Sequence, residues 1–172
     1  QAYIAERRAL LKLWANDSWA FLQARDVDVT AVIKTQDEAD DEHPFKAFPD
    51  YEYLRLMSEE LFAPQQVTLV DKSRQMTVST LCMLLLYHTV LFKRGRKCLV
   101  SKQTQELAEV LLEDKVRGVH RRTPAWFQAA LPLSMTPKSV ARAERTGSEI
   151  VCVAQNAASR WFKGNTASIV LI

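Results

Sequence analysis

The chain has 172 residues, 48% hydrophobic and 25% charged, with a formal net charge of +3 and a pI near 8.8. Those values describe a soluble globular protein, argue against disorder over most of the chain, and fit one well-filled core. They leave a mildly basic surface that permits contact with nucleic acid without requiring it. The longest apolar run, 81–92, is too short to span a bilayer and is broken by His88 and Thr89, and no signal peptide is evident. Cys82, Cys98 and Cys152 are odd in number and far apart, each inside an apolar run, which reads as buried small hydrophobes in a reducing compartment. His43, His88 and His120 are equally scattered, so no metal cluster of protein ligands is expected. The chain begins at Gln1 and stops at Ile172 within an apolar run, and we expect a fragment of something longer.

Residues 3–15 read as a helix with Ile4, Leu10, Leu11 and Trp14 on its apolar side. Asn16, Asp17 and Ser18 offer a cap for a short second helix carrying Trp19, Phe21 and Leu22. Val27, Val29, Ala31 and Ile33 alternate with Asp28 and Thr30, which predicts a half-buried strand over 27–33. The acidic stretch 36–44 reads as an exposed loop, and the aromatic, irregular stretch 44–51 leads into a helix over 52–61. The run Val67-Thr68-Leu69-Val70 predicts a strand over 67–71, and after a polar run at 72–80 comes a strongly apolar helix. Lys93-Arg94-Gly95-Arg96 reads as a turn and 97–101 as a strand. An amphipathic helix is expected over 104–119, with Leu107, Val110 and Leu111 facing one way. Pro124 ends that region, and Pro132 and Pro137 punctuate an irregular stretch around Trp126 and Phe127. The β-branched runs 149–154 and 167–172 read as strands buried on both faces of a parallel sheet. This order of elements predicts an α/β fold, a mostly parallel central sheet flanked by helices, with a helical lead-in over 1–60 and a single domain over 1–172.

The polar run Lys72-Ser73-Arg74-Gln75-Met76-Thr77-Val78-Ser79-Thr80 joins the expected strand to the apolar helix. A helix N-terminus leaves about four N–H groups without intrahelical partners and carries roughly half a positive charge, which suits phosphate. Ser79 and Thr80 can cap such a helix, and a hydroxyl there can bind Mg²⁺. Against G-x-x-x-x-G-K-[ST] the match is poor: Thr77 holds the second glycine position and Val78 the lysine position, and the run's lysine is Lys72, at its front. By spacing alone a phosphate loop and a plain capped turn stand equal.

The run resembles the variant phosphate loop of the large terminase subunits of tailed bacteriophages, in some members of which the lysine sits at the first position. The departure is Thr77, where the family usually has glycine. The similarity extends to Phe48-Pro49-Asp50-Tyr51-Glu52-Tyr53-Leu54-Arg55, which is similar to the family's adenine-contacting segment. RGRKCLVSKQTQELAE at 94–109 resembles its second strand and following helix, and KGNTASIVLI at 163–172 the lead into its Walker B strand. In the family an Asp-Glu pair follows that strand, one residue past the end of this chain, and a C-terminal nuclease domain comes later. The resemblance implies a P-loop NTPase-like fold with its core over 61–172, and an ATPase that binds ATP and Mg²⁺. It implies that Lys72 and Arg74 neutralise phosphates, Gln75, Met76, Thr77 and Val78 shape the cradle with Ser73 and Thr80, and Ser79 binds the metal. Lacking the acid pair, the chain as given is expected to bind nucleotide but hydrolyse it poorly.

Tyr51 or Phe48 is a candidate to stack on adenine, and equally a core or staple residue. Arg160 and Lys163 are candidates for a sensor or arginine-finger-like role, with an exposed loop charge as the alternative. Arg117, Arg121 and Arg122, with His120, form a basic cluster that a helix dipole favours by itself and that DNA phosphates would also fit. The implied partners are double-stranded DNA, a portal protein, a small terminase subunit and further copies in a ring, in the host cytoplasm and without a membrane. A helicase-like motor and a catalytically incomplete assembly or docking module remain the alternatives.

Overall fold

The computed structural model describes residues 2–36, 40–62, 68, 70, 77–162 and 166–172. They fall into two units, Gln1–Leu85 and Leu86–Ile172. The predicted strand at 67–71 lies mostly outside the described residues; Thr68 and Val70 are described, and neither is in a strand. Among the described residues no helix is long and apolar enough to cross a membrane.

In the first unit, α1 (Ala2–Asn16) inserts Trp14 into the interior. Asp17 accepts the Ala20 N–H at 2.8 Å and so starts α2 (Ser18–Leu22), which buries Phe21 and Leu22. The strand expected over 27–33 is instead a turn. Asp26 Oδ1 accepts the Val27 N–H at 2.8 Å, and Asp28 Oδ1 accepts both the N–H and the hydroxyl of Thr30, at 3.1 and 2.6 Å. Val29 stands at φ +68 and is 73% exposed. Short acidic side chains take the donors a ladder would need, so the alternation does not mark strand faces. Pairing begins with β1 (Lys34–Gln36), antiparallel to β2 (Phe45–Ala47), which lies within the stretch read as irregular. Of the acidic loop, 37–39 lie outside the described residues. Asp40 Oδ1 accepts the N–H groups of Glu42 and His43, and the Asp40 carboxylate pairs with Lys46 at 2.7 Å. Helix α3 (Glu52–Phe62) follows and buries Leu54 and Ser58.

Helix α4 (Val78–Phe92) is the apolar helix the sequence announces, and every residue over 83–91 is buried. The second unit is built on a sheet ordered β4-β5-β3-β6. Strand β3 (Lys97–Lys102) lies between β5 (Ser148–Ala154) and β6 (Ile169–Leu171) and is parallel to both, with Cys98 opposite Ile150 and Ile169. Strand β4 (Val140–Ala143), unforeseen because its apolar positions are Ala and a single Val, runs antiparallel to β5. The fold is thus α/β, a mixed and mostly parallel sheet flanked by helices. Strand β6 is half-exposed rather than buried on both faces, as befits the outer position in the described sheet.

The single helix expected over 104–119 is three segments: α5 (Gln105–Leu112), a π-helical turn (Glu113–Arg117) and α6 (Gly118–Arg122). The expected face is also corrected. Ala108, Leu112, Val116 and Val119 are buried, whereas Leu107 and Val110 are more than half exposed. A π turn holds more residues than an α turn, which shifts the stripe's phase. Helix α6 ends at Arg122, just ahead of Pro124, as expected, and Pro124 also opens the next element. Its carbonyl accepts the Phe127 N–H at 2.9 Å at the start of α7 (Ala125–Ala130), in the stretch read as irregular. A further helix, α8 (Gln155–Phe162), follows β5 directly.

Candidate functional site

The residues predicted to grip phosphate divide at Thr77. Lys72, Ser73, Arg74, Gln75 and Met76 lie outside the described residues; Thr77, Val78, Ser79 and Thr80 form the entrance of α4. The Thr77 carbonyl accepts the Leu81 N–H at 2.9 Å, the first intrahelical bond, so the N–H groups over 78–80 have no partner within the helix. Thr77 itself stands at φ +58, in the left-handed region. A β-branched residue is uncommon there, at a cost of about 1–2 kcal/mol, and such outliers gather at ligand sites. Val78 and Thr80 are buried, fixing the first turn, and Ser79 between them is exposed. The entrance therefore joins free backbone donors, an accessible hydroxyl and a backbone bend of the kind a glycine would supply.

The two aromatic candidates separate. Phe48 is buried edge-to-face against Trp19, ring centroids 6.2 Å apart, and its carbonyl accepts from Gln23 Nε2 at 3.2 Å. It is a core residue, which corrects its assignment as a base-stacking candidate. Tyr51 is 54% exposed and stacks on Tyr53 at 5.7 Å with an interplanar angle of 15°. Its carbonyl accepts from Leu54 and Arg55 at the start of α3, which holds the ring's backbone in place.

The basic cluster separates as well. Arg117 is 2% exposed, and its guanidinium donates to the carbonyls of Lys138 at 3.1 Å, Val140 at 2.5 Å and Pro137. It ties the π turn to the segment before β4 and presents no charge to DNA, which corrects that assignment. His120 is buried too, its Nδ1 hydrogen-bonded to the Tyr87 hydroxyl at 2.6 Å. Desolvation, with the Arg121 charge adding to it, pushes the His120 pKa down to about 4. Arg121 is exposed and paired with Glu113, and Arg122 is half-buried. Arg160 lies in α8, and Lys163 lies outside the described residues.

Ligands of open α/β sheets bind beyond the carboxyl ends of the strands. At that edge of the second unit, sequence reasoning passed over Ser101 and Gln105. The Ser101 hydroxyl is buried without a hydrogen-bond partner among the described residues. The Gln105 amide holds the end of β5, donating to Cys152 O and accepting from Ala154 N–H, both at 3.1 Å. A serine at a strand end and a glutamine in a polar helical turn carry no distinguishing sequence signal. Burial pushes the thiols of Cys98 and Cys152 up to about 12, so neither is poised as a nucleophile. Among the described residues no group of three or more His, Cys, Asp or Glu is placed to hold a metal ion. No protein-family model matches this chain, and neither does any curated protein.

Proposed function

We propose that the chain is the ATP-binding portion of a viral DNA-packaging motor of the large-terminase type, a P-loop NTPase that in its intact form hydrolyses ATP to drive double-stranded DNA into a procapsid. The observation that carries this reading is the left-handed backbone of Thr77, at the position where the family's loop usually has glycine, two residues before an exposed serine on a long helix. A plain capped turn has no need of that strained conformation. The parallel pairing of β3 with β6, the two strands matched to the family's second strand and its Walker B strand, supports the same reading.

In this account the N–H groups over 78–80 face the phosphates, and Lys72 and Arg74 balance their charge. With Val78 buried at the position of the usual lysine, the cation has to come from the front of the loop. The Ser79 hydroxyl would hold Mg²⁺, which when bound screens the charge between phosphate oxygens. Such a metal is held mainly by waters, substrate phosphates and one or two protein oxygens rather than by an all-protein cage, and Ser79 fits it as one of those oxygens. Tyr51 offers a face to adenine. Partners would be duplex DNA, the portal, the small terminase subunit and further copies in a ring, in the host cytoplasm.

Titration calorimetry of the chain with Mg·ATP tests this reading. Binding by the native sequence and an affinity at least about tenfold lower in Lys72→Ala are expected, the loss of one charge-assisted contact. Equal affinities, or no Mg-dependent binding by either, would leave the assembly-module reading in its place.

A further inference from the structure

The second unit carries a basic surface formed by two turns. One, 93–96, leaves α4; the other, 144–147, joins β4 to β5. They are fastened together. The Gly95 N–H donates to Thr146 O at 3.2 Å, and the Thr146 hydroxyl donates to Val90 O at 2.5 Å. The Ser148 hydroxyl donates to Lys93 O at 2.5 Å and accepts the Arg96 N–H at 2.9 Å, while the Glu149 N–H donates to Arg96 O at 2.9 Å. Gly95 and Gly147, at φ +64 and +67, allow both turns to close, and a Cβ on either would meet nothing within 4 Å, so conformation rather than space calls for glycine.

From this clamp Lys93, Arg94, Arg96, Lys97, Arg142 and Arg145 are all exposed, opposed on the same segments by Glu144 and Glu149. Glu149 is already engaged by Arg142 at 2.7 Å and Lys97 at 3.8 Å. Lys93, Arg94, Arg96 and Arg145 have no carboxylate partner among the described residues. The dipole of α4 accounts for cations just past its C-terminus, but not for arginines contributed by a separate hairpin.

We propose that these clamped turns form a docking surface for the phosphate backbone of duplex nucleic acid. Phosphate contacts need positioned charge and no base reading, and here the backbone carrying the charge is already fixed, which lowers the ordering cost of binding. No large hydrophobic side chain is exposed over 93–97 or 142–149. The surface therefore lacks the apolar wedge that membrane insertion uses and the aromatic platform that single strands stack on. It uses none of the nucleotide-site residues and stands whether or not the phosphate-loop reading does.

The test is binding of the 172-residue chain, without nucleotide, to short labelled duplexes of two unrelated sequences, at salt from about 50 to about 200 mM. Equal affinity for both sequences and a steep fall with salt are expected. The triple variant Arg94→Gln, Arg96→Gln, Arg145→Gln should bind at least about tenfold more weakly, with a log–log salt slope shallower by about 2–3. The matching triple Arg→Lys variant should retain binding and so separate charge from folding, and Lys12→Gln on α1 should change nothing. No duplex binding at low salt, undiminished binding by the glutamine variant, or tighter binding to single strands or anionic vesicles would each overturn the proposal.

Discussion

His120 and Arg117 show how far a residue's chemistry departs from its place in a sequence pattern. Both belong to a run that looks like a cationic patch, and both are buried, one bonded to the Tyr87 hydroxyl and the other to backbone carbonyls. For His120 this has a consequence in pH. Its folded pKa, about 4, lies below the ordinary 6.5, so the fold favours the neutral imidazole. The stability it contributes is complete above pH 6.5 and is lost as pH falls toward 4, a total bounded by about 3 kcal/mol. Urea midpoints measured across that window should fall for the native chain and fall less for His120→Gln. Parallel curves would show that another group governs acid sensitivity. Nothing in the sequence separates His120 from Arg121; burial does, and burial is set by the phase of a helix whose π turn the sequence does not announce.

Elements were legible where one periodicity dominated. The strongly apolar α4, the apolar centre of β3 and the β-branched run of β5 announce an α/β fold because little competes with burial as their organising force. The alternation over 27–33 misleads because Asp26 and Asp28 take the local backbone donors, and the helix face was misread because Ala108 contributes little apolar signal to the buried stripe. At the entrance of α4 the polar run was legible as a candidate phosphate loop, whereas the conformation of Thr77 was not. That conformation yields a prediction. Replacing Thr77 by glycine removes about 1–2 kcal/mol of left-handed strain and adds about 0.5–1 kcal/mol of unfolded-state freedom. Thr77→Gly should therefore leave the urea midpoint unchanged or raise it slightly, with Mg·ATP affinity retained. Destabilisation by more than about 1 kcal/mol would mean that the threonine side chain supplies a contact outweighing the strain.

For the whole molecule, the proposed function would make the strained, donor-rich helix entrance in the first unit and the mostly parallel sheet in the second parts of one nucleotide-driven motor. Its central claim is that phosphate is held by the first turn of α4. Amide hydrogen exchange, read residue by residue with and without Mg·ATP, addresses that turn directly. The N–H groups over 78–80 have no intrahelical acceptors, so a phosphate bound there would give them new ones. The account predicts slowed exchange at Val78, Ser79 and Thr80 on adding Mg·ATP, reproduced by inorganic triphosphate and absent with adenosine. Unchanged exchange at these three residues under saturating Mg·ATP would contradict it.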